Sequence, residues 1–314
     1  MKIKVAIIGT GNIGKRHLQS LLAMDRDKEL LCHDSNKGSI ESVIPFCIEN
    51  KLDPSTVKTY KSIDEILSRV DKDCIVIVAT CADGRKELLA AVFSKNPLAV
   101  IAEKPLCQSE KDYMEIMGLA RAKAVPVYVD LPRRGMEYYR KIREEVNNSR
   151  NMSFSSVFTG GLSCSGIHIY DLAVWLLDAR SFEIVHTSDL QVFDTKRKGY
   201  KDISGNISVV FDGKKPAIFQ ALPADGIFMM NLSSEDKVFN IYEEQEKIVV
   251  CSSKGIEQRK TGRILISDLT GGLVLEIAEK GTTDGIPTIE QAYLAHRILF
   301  DILRKSGNTN VNIT

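Results

Sequence analysis

The sequence lacks any long apolar run, any excess of charge of one sign and any paired cysteine motif. Its longest apolar stretches, such as CIVIVAT and LAVIA, are far too short to cross a bilayer, so no membrane partner is expected. Its 42 basic and 41 acidic residues give a formal net charge of +1, which argues against a nucleic-acid partner. The seven cysteines are scattered without a C-x-x-C pair, which argues against disulfides and structural zinc and favours a reducing, cytoplasmic location.

Metal ligands are also missing in any usable pattern. His186 and His296 have no partner at metal-ligand spacing, and no other cluster of histidine, cysteine and carboxylate residues suggests an ion. We therefore expect no metal.

The hydrophobic pattern changes about halfway along the chain. Over the first 130 residues, strands that are apolar along their whole length alternate with helical segments, which is typical of a parallel sheet covered on both faces. After about residue 150, short alternating strands are punctuated by glycine, asparagine and aspartate, which indicates an open, mainly antiparallel sheet. The sequence therefore predicts a doubly wound α/β domain over 1–125 and an α+β domain over 126–314, ending in a helix over about 287–306.

A glycine motif follows the first predicted strand and opens the first helix. The segment GTGNIG fits G-x-G-x-x-G in the context that a dinucleotide-binding turn requires. Gly9 would permit the tight turn, Gly11 would let backbone N–H groups approach a pyrophosphate, and Gly14 would let the helix pack closely on the strand. A glycine turn without a ligand is the alternative. The predicted pyrophosphate site of a Rossmann domain comprises Gly9, Gly11, Asn12, Ile13 and Gly14.

The second predicted strand ends in an acidic residue. Asp34 lies twenty residues after Gly14, where a carboxylate would bind the ribose hydroxyls of the cofactor and repel a 2′-phosphate. This favours NAD as the cofactor. Lys37 keeps NADP open because a nearby cation would tolerate the phosphate, and a plain turn role for Asp34 in HDSN is the structural alternative.

A lysine stands at the end of a later strand, in VIAEKPL. Hydride leaves carbon as the hydroxyl proton leaves oxygen, so the chemistry needs an acid/base group within reach of that oxygen. Lys104 follows a predicted parallel strand and would point into the crevice where ligands bind in such sheets. Pro105 restricts the lysine to extended geometry. A solvated lysine at a strand end is the alternative.

Together these motifs resemble one oxidoreductase family. GTGNIGKRH, IVATCADGRKELLAAV, AEKPL and GIHIYDLAVWLLD match, in order and spacing, the glucose–fructose oxidoreductase/inositol dehydrogenase/rhizopine-catabolism (Gfo/Idh/MocA) family over nearly the whole chain. The resemblance implies NAD(P)-dependent hydride transfer at a secondary alcohol or ketone of a sugar, cyclitol or nucleotide-linked sugar. It also implies a final helix packing back on the first domain. A homo-oligomer, dimer or tetramer, formed through the second domain's sheet is expected from both the family and the alternating strands.

The resemblance also carries individual residues. It implies that Lys104 faces the nicotinamide and the reacting oxygen, and that His168 is the second acid/base group. Asp171 would lie on the substrate side or orient its neighbours. Thr80 and Glu103 match positions that line the nicotinamide. Arg134 matches a basic position near the domain junction, and we expect it among the cofactor-binding residues.

Two segments depart from the family pattern. The family commonly has an aspartate three or four residues before the histidine, where this chain has Cys164 and Ser165. Relatives usually have a proline and then a histidine within the segment that reads CADGR, residues 81–85, here. The missing aspartate motivates a second hypothesis, a non-catalytic dinucleotide-binding regulator, and a reductase of a non-sugar ketone or imine is a third.

Overall fold

Two units share the chain in the computed structural model, which describes residues 2–223, 226–262, 266–307 and 312–313, without the side chains of 266 and 267. The first unit comprises residues 1–132 and 264–291, and the second comprises 133–263 and 292–314. The chain thus leaves the first unit, forms most of the second, and returns before its final helix.

A six-stranded parallel sheet forms the centre of the first unit. Its strands lie in the order β3-β2-β1-β4-β5-β6, which is the order of a doubly wound Rossmann sheet. The central strands are almost wholly buried because helices cover both faces, and this explains their unbroken apolar sequences. The strand bounds are β1 Ile3–Ile8, β2 Lys28–His33, β3 Val57–Tyr60, β4 Cys74–Val78, β5 Ala99–Ala102 and β6 Val127–Val129.

Helices connect these strands. A serine caps α4 in a capping box with Glu65, and another serine caps α6, so local sequence fixes both starting points. The helix that returns to this unit, α9, packs on α1 where Gly271 lies against Ser20 and Met24. The bounds are α1 Asn12–Leu22, α2 Lys37–Glu41, α3 Val43–Glu49, α4 Ile63–Leu67, α5 Arg85–Phe93, α6 Glu110–Ala122 and α9 Thr270–Lys280.

An eight-stranded open sheet forms the second unit. The order is β14-β13-β12-β11-β7-β10-β9-β8, and every neighbouring pair is antiparallel except β7 with β10. Burial alternates along β7 and β10, so one face is packed and the other is open. The bounds are β7 Ser153–Thr159, β8 Phe182–Asp194, β9 Lys201–Phe211, β10 Lys215–Leu222, β11 Phe228–Ser233, β12 Lys237–Tyr242, β13 Lys247–Ser252 and β14 Gly255–Lys260.

Three more α-helices lie in the described residues. The bounds are α7 Glu137–Val146, α8 Gly166–Leu176 and α10 Ile289–Lys305, and a single π-helical turn, Gly161–Ser165, leads directly into α8. The first residues of α10 group with the first unit, and the helix groups with the second unit from Ala292 onwards. The predicted fold class, a Rossmann sheet followed by an open, mainly antiparallel sheet, is confirmed.

Candidate active site

The glycine turn lies between β1 and α1. Gly9 has φ +99°, and a Cβ on it would lie 2.6 Å from the backbone of Ala79. A Cβ on Gly14 would lie 1.9 Å from the Gly9 carbonyl oxygen, so packing alone requires these two glycines. Gly11 differs because open space surrounds the position of its missing Cβ. An absent side chain that faces open space leaves room for a ligand against the helix N-terminus.

Two more predicted residues, Asn12 and Ile13, begin α1 beside this space. Both are exposed, and Ile13 keeps 50% of its surface accessible. A large apolar side chain at an exposed helix start is available to cover a bound ligand. The turn therefore fits the pyrophosphate half of a dinucleotide.

Asp34 lies at the edge of this turn, immediately after β2. Its carboxylate accepts hydrogen bonds from the backbone N–H of Thr10 at 2.7 Å and of Asn36 at 2.8 Å. The nearby Lys37 is exposed and lies 3.7 Å from the Glu41 carboxylate, so its charge already has an acidic neighbour on its own helix. The turn thus holds the Asp34 carboxylate where a ribose would follow the pyrophosphate.

Glu103 and Lys104 leave β5 at the same, carboxyl-terminal edge of the sheet. A single buried side chain, Arg85, fixes the backbone here. Its guanidinium donates hydrogen bonds to the carbonyls of Thr80, Glu103, Pro105 and Leu106, the last two at 2.5 and 3.3 Å. Burial lowers the pKa of Arg85 to about 10, which still leaves it charged at neutral pH.

Arg85 belongs to the segment that departs from the family pattern. Its four acceptors belong to the loops after β4 and β5, which contain the predicted nicotinamide residues Thr80 and Glu103 and the predicted catalytic Lys104. One arginine therefore joins the backbones of these two loops.

His17 lies beneath Glu103 in a buried polar cluster. Its Nε2 is 3.0 Å from a Glu103 oxygen and 3.7 Å from an Asp130 oxygen, and its Nδ1 is 2.7 Å from the Thr270 hydroxyl. Burial would lower the pKa of His17, but the Glu103 hydrogen bond and the charges of Asp130 and Glu103 raise it. Burial and the Glu103 charge raise the pKa of Asp130 to about 8. Burial opposes ionisation of Glu103, yet His17 holds its pKa at about 2.

In the described part of the chain, these three side chains form the one group with metal-ligand geometry. Their ligand atoms lie within 4.8 Å of one another. A direct hydrogen bond joins His17 and Glu103, so these two groups already have a partner within the cluster. The arrangement fits a proton-sharing network better than an ion site.

In the second unit, Arg134 and Asp171 bind each other. Arg134 Nε donates to one carboxylate oxygen at 2.8 Å and Nη2 donates to the other at 2.5 Å. Both residues are buried, with Asp171 at 1% exposure. Burial raises the pKa of Asp171 although the Arg134 charge opposes the shift. The pair is thus a bidentate buried ion pair, and it fixes α8 against the chain before α7.

His168 lies in the first turn of α8, half-buried, directly after the π-helical turn. The buried carboxylate of Asp202, on β9, accepts hydrogen bonds from the N–H groups of Ser163 and Cys164 at 2.8 and 3.0 Å. A Cβ on Gly161 would lie 2.1 Å from this carboxylate, so the turn requires glycine there. Burial raises the pKa of Asp202, and the backbone hydrogen bonds oppose the shift.

The structure thus groups the predicted residues by unit. Gly9 to Gly14, Asp34, Thr80, Glu103 and Lys104 all follow strands of the parallel sheet at its carboxyl-terminal edge. Arg134, His168 and Asp171 belong to the second unit. Four contributors were not predicted from the sequence, namely His17, Asp130, Asp202 and the role of Arg85. Asp130 carries the same signal as Lys104, a polar residue at the end of a buried parallel strand.

Comparison with known proteins places the first unit. Residues 3–131 match the model of the Gfo/Idh/MocA family, an oxidoreductase family with an NAD-binding Rossmann fold. The match confirms the resemblance that the motifs indicated. It also confirms the expectation of an oxidoreductase and of NAD as the cofactor of the family. Within the described ranges, no helix is both long and apolar enough to cross a membrane.

A curated relative and two solved structures are similar to this chain. Inositol 2-dehydrogenase 3 from Saccharopolyspora erythraea is 22% identical over 233 residues, which are 65% of this chain and 66% of that protein. The dehydrogenase MviM from Clostridium difficile is 18% identical with a TM-score of 0.73, covering 96% of this chain and 99% of its own. The UDP-N-acetylglucosamine 3-dehydrogenase GnnA from Acidithiobacillus ferrooxidans is 12% identical with a TM-score of 0.76, covering 99% and 100%. At these identities the structural likeness establishes the two-domain fold.

Proposed function

We propose that the protein transfers hydride between a nicotinamide cofactor and a secondary alcohol or ketone of a sugar, cyclitol or nucleotide-linked sugar. The observation that carries the proposal is the position of Lys104. It follows β5 at the same sheet edge as the glycine turn and Asp34, and Arg85 fixes its segment. The relatives' names, an inositol dehydrogenase and a nucleotide-sugar dehydrogenase, support the substrate class.

NAD is the proposed cofactor, with NADP the weaker candidate. NAD supplies or accepts the hydride when bound. The N–H groups at the start of α1 hold the pyrophosphate, and the Asp34 carboxylate binds the ribose hydroxyls and repels a 2′-phosphate. The Lys37 ammonium group lies 3.7 Å from the Glu41 carboxylate, so less of its charge is available to a 2′-phosphate. This supports the preference for NAD over NADP.

Proton transfer is assigned to Lys104 and His168. One of them gives or takes the proton of the reacting oxygen as the hydride moves, and Thr80 and Glu103 line the nicotinamide side. Asp171 acts through its ion pair: by holding Arg134 it fixes the helix that carries His168. We therefore assign Arg134 and Asp171 positioning roles.

The experiment is a reaction panel followed at the NADH absorbance band. Inositols, free sugars, UDP-sugars and their keto forms are offered with each cofactor, with simple ketones and imines as the non-sugar arm. Lys104→Ala should abolish turnover on the active substrate and retain the fold, whereas Lys111→Ala, an exposed lysine on α6, should match the wild type. Full turnover by Lys104→Ala would remove the lysine from the mechanism.

A non-catalytic dinucleotide-binding regulator is the second candidate, and Cys164 is the observation that favours it. A thiol at this position cannot replace an aspartate as a proton acceptor unless it first ionises to the thiolate. Cys164→Asp restores a carboxylate at that position. Tight NADH binding by the wild type, with no turnover by it or by Cys164→Asp on any substrate, would favour the regulator.

The open face of the second sheet is the proposed oligomer surface. Ile218, Met229 and Ile256 are exposed on β10, β11 and β14, on the face that the sheet leaves unpacked. Such a face suits a symmetric pairing. Light scattering after size exclusion should give a dimer or tetramer, and a monomer at micromolar concentration would contradict the proposal.

None of the seven cysteines is in a disulfide, which supports a cytoplasmic location.

A further inference from the structure

His17 and Asp130, which form a buried cluster with Glu103, have no role in the chemistry described so far. It joins three elements of the first unit, because His17 is on α1, Glu103 follows β5 and Asp130 follows β6. The two side-chain contacts of His17 Nε2 are 3.0 Å to Glu103 and 3.7 Å to Asp130. The Asp130 and Glu103 carboxyl groups are also close, because the ligand atoms of all three side chains lie within 4.8 Å of one another.

The two carboxyl groups of the cluster share one proton. Two carboxyl groups in contact inside a protein cannot both ionise, so one keeps a proton and donates it to the other. The environment assigns that proton to Asp130, because burial and Glu103 raise its pKa. A protonated His17 then neutralises the Glu103 carboxylate, and its Nδ1 bonds the Thr270 hydroxyl at 2.7 Å. With Asp130 protonated and His17 charged, the cluster is neutral as a whole.

Lys104 is the next residue after Glu103. Both residues belong to the short segment that follows β5, so holding the Glu103 side chain restrains the backbone from which the Lys104 side chain leaves. Arg85 restrains the same backbone from the other side through the carbonyls of Glu103 and Pro105. The Lys104 charge also acts on both carboxyl groups, and the charged groups facing Asp130 are Glu103, His17 and Lys104.

We propose that His17 and Asp130 are positioning residues for Lys104: they hold the Glu103 side chain and keep the charge beside the lysine balanced. The inference deepens the proposed function, since it concerns the lysine assigned to proton transfer. Asp130 is the residue of the cluster whose charge changes with pH, and its ionisation adds one negative charge beside Lys104.

The experiment measures Lys104 directly and needs neither substrate nor cofactor. Trace acetic anhydride labels the protein between pH 6 and pH 10, and mass spectrometry quantifies the Lys104 peptide against that of the exposed Lys111. Asp130→Asn keeps the hydrogen-bonding shape and removes the ionisation. Asp64→Asn, at an exposed carboxylate in the first turn of α4, is the matched control.

Above pH 8, the ionised Asp130 should slow labelling of Lys104 in the wild type. Asp130→Asn should then label about fivefold faster than the wild type, since one unit charge nearby is worth roughly that factor in a half-buried site. Below pH 7 the two should agree, and Asp64→Asn should follow the wild type throughout. A purely structural role would not produce this difference between pH ranges. Identical profiles for the wild type and Asp130→Asn would overturn the proposal.

Two further measurements keep the test decisive. If Asp130→Asn does not fold, His17→Gln keeps a donor to Glu103 but removes the positive charge, and it should slow Lys104 labelling at pH 7. Stabilisation of the wild type by Zn²⁺ in a thermal melt, lost in Asp130→Asn, would overturn the proposal in favour of a metal site. NADH titration is run separately: wild type that fails to bind NADH refutes the proposed function, whatever the labelling shows.

Discussion

Replacing Asp171 with alanine is expected to destabilise the second unit by about 3–5 kcal/mol, the usual cost of removing one partner of a buried ion pair. The Asp171 side chain is 1% exposed and receives both hydrogen bonds of the Arg134 fork, at 2.8 and 2.5 Å. Its removal leaves a buried guanidinium without an anion. The adjacent ion pair does not supply a replacement anion, because the Glu243 carboxylate is itself bound to Arg133 at 2.8 Å.

The double variant separates the charge effect from the packing effect. Arg134→Met with Asp171→Leu replaces both charges by apolar side chains, and such replacements are often neutral or stabilising. We therefore expect the double variant to be at least about 2 kcal/mol more stable than either single variant. The coupling energy from this cycle measures the pair itself.

The single tryptophan provides the assay. Trp175 is on α8, one turn after Asp171, so its fluorescence during urea unfolding reports on the second unit. Glu137→Gln, which removes an exposed ion pair with Lys141 on α7, is the control and should leave the midpoint unchanged. Single costs equal to that control, or single costs that simply add in the double variant, would refute the reasoning.

Three further predictions concern the first unit. Arg85→Met should weaken NADH binding about tenfold or more, because the loops after β4 and β5 lose their common hydrogen-bond donor. Lys95→Met, which replaces an exposed lysine, should bind NADH like the wild type. Equal NADH affinities of Arg85→Met and the wild type in a fluorescence titration would contradict this. Asp34→Asn should reduce the preference for NADH over NADPH about tenfold, by removing a charge that repels the 2′-phosphate, and an unchanged ratio of dissociation constants would count against it. Asp130 has a folded pKa of about 8, above its ordinary 3.8, so its contribution to stability is complete below about pH 4 and is lost as pH rises through about 8. Urea midpoints measured across that window should fall less steeply for Asp130→Asn than for the wild type, and parallel slopes would exclude the shift.

Sequence patterns predict those parts of the molecule whose signals are local. The central strands are recognisable because burial on both faces demands continuous apolar sequence, whereas β3, which reads VKTY at the sheet edge and is only partly buried, carries no such signal. Lys104 and Asp34 are predictable because polar residues at the ends of parallel strands meet at one edge.

Other parts of the site depend on contacts that leave no local pattern. Arg85 binds four backbone carbonyls, and any sequence provides those. Asp202 reaches a turn 38 residues earlier in the chain, and only the register of β9 brings it there. Long-range partners of this kind follow from tertiary packing and not from spacing.

Asp202 bears directly on the missing aspartate at Cys164. A carboxylate lies under this turn after all, but its oxygens already accept N–H groups from Ser163, Cys164 and Ile203. Three donors take up three of the carboxylate's roughly four lone-pair sites, and the side chain is buried under the turn, away from any reacting oxygen in solvent reach. Asp202 therefore shapes the turn before α8 and does not replace the absent acid/base group. Proton transfer in the proposed reaction accordingly rests on Lys104 and His168.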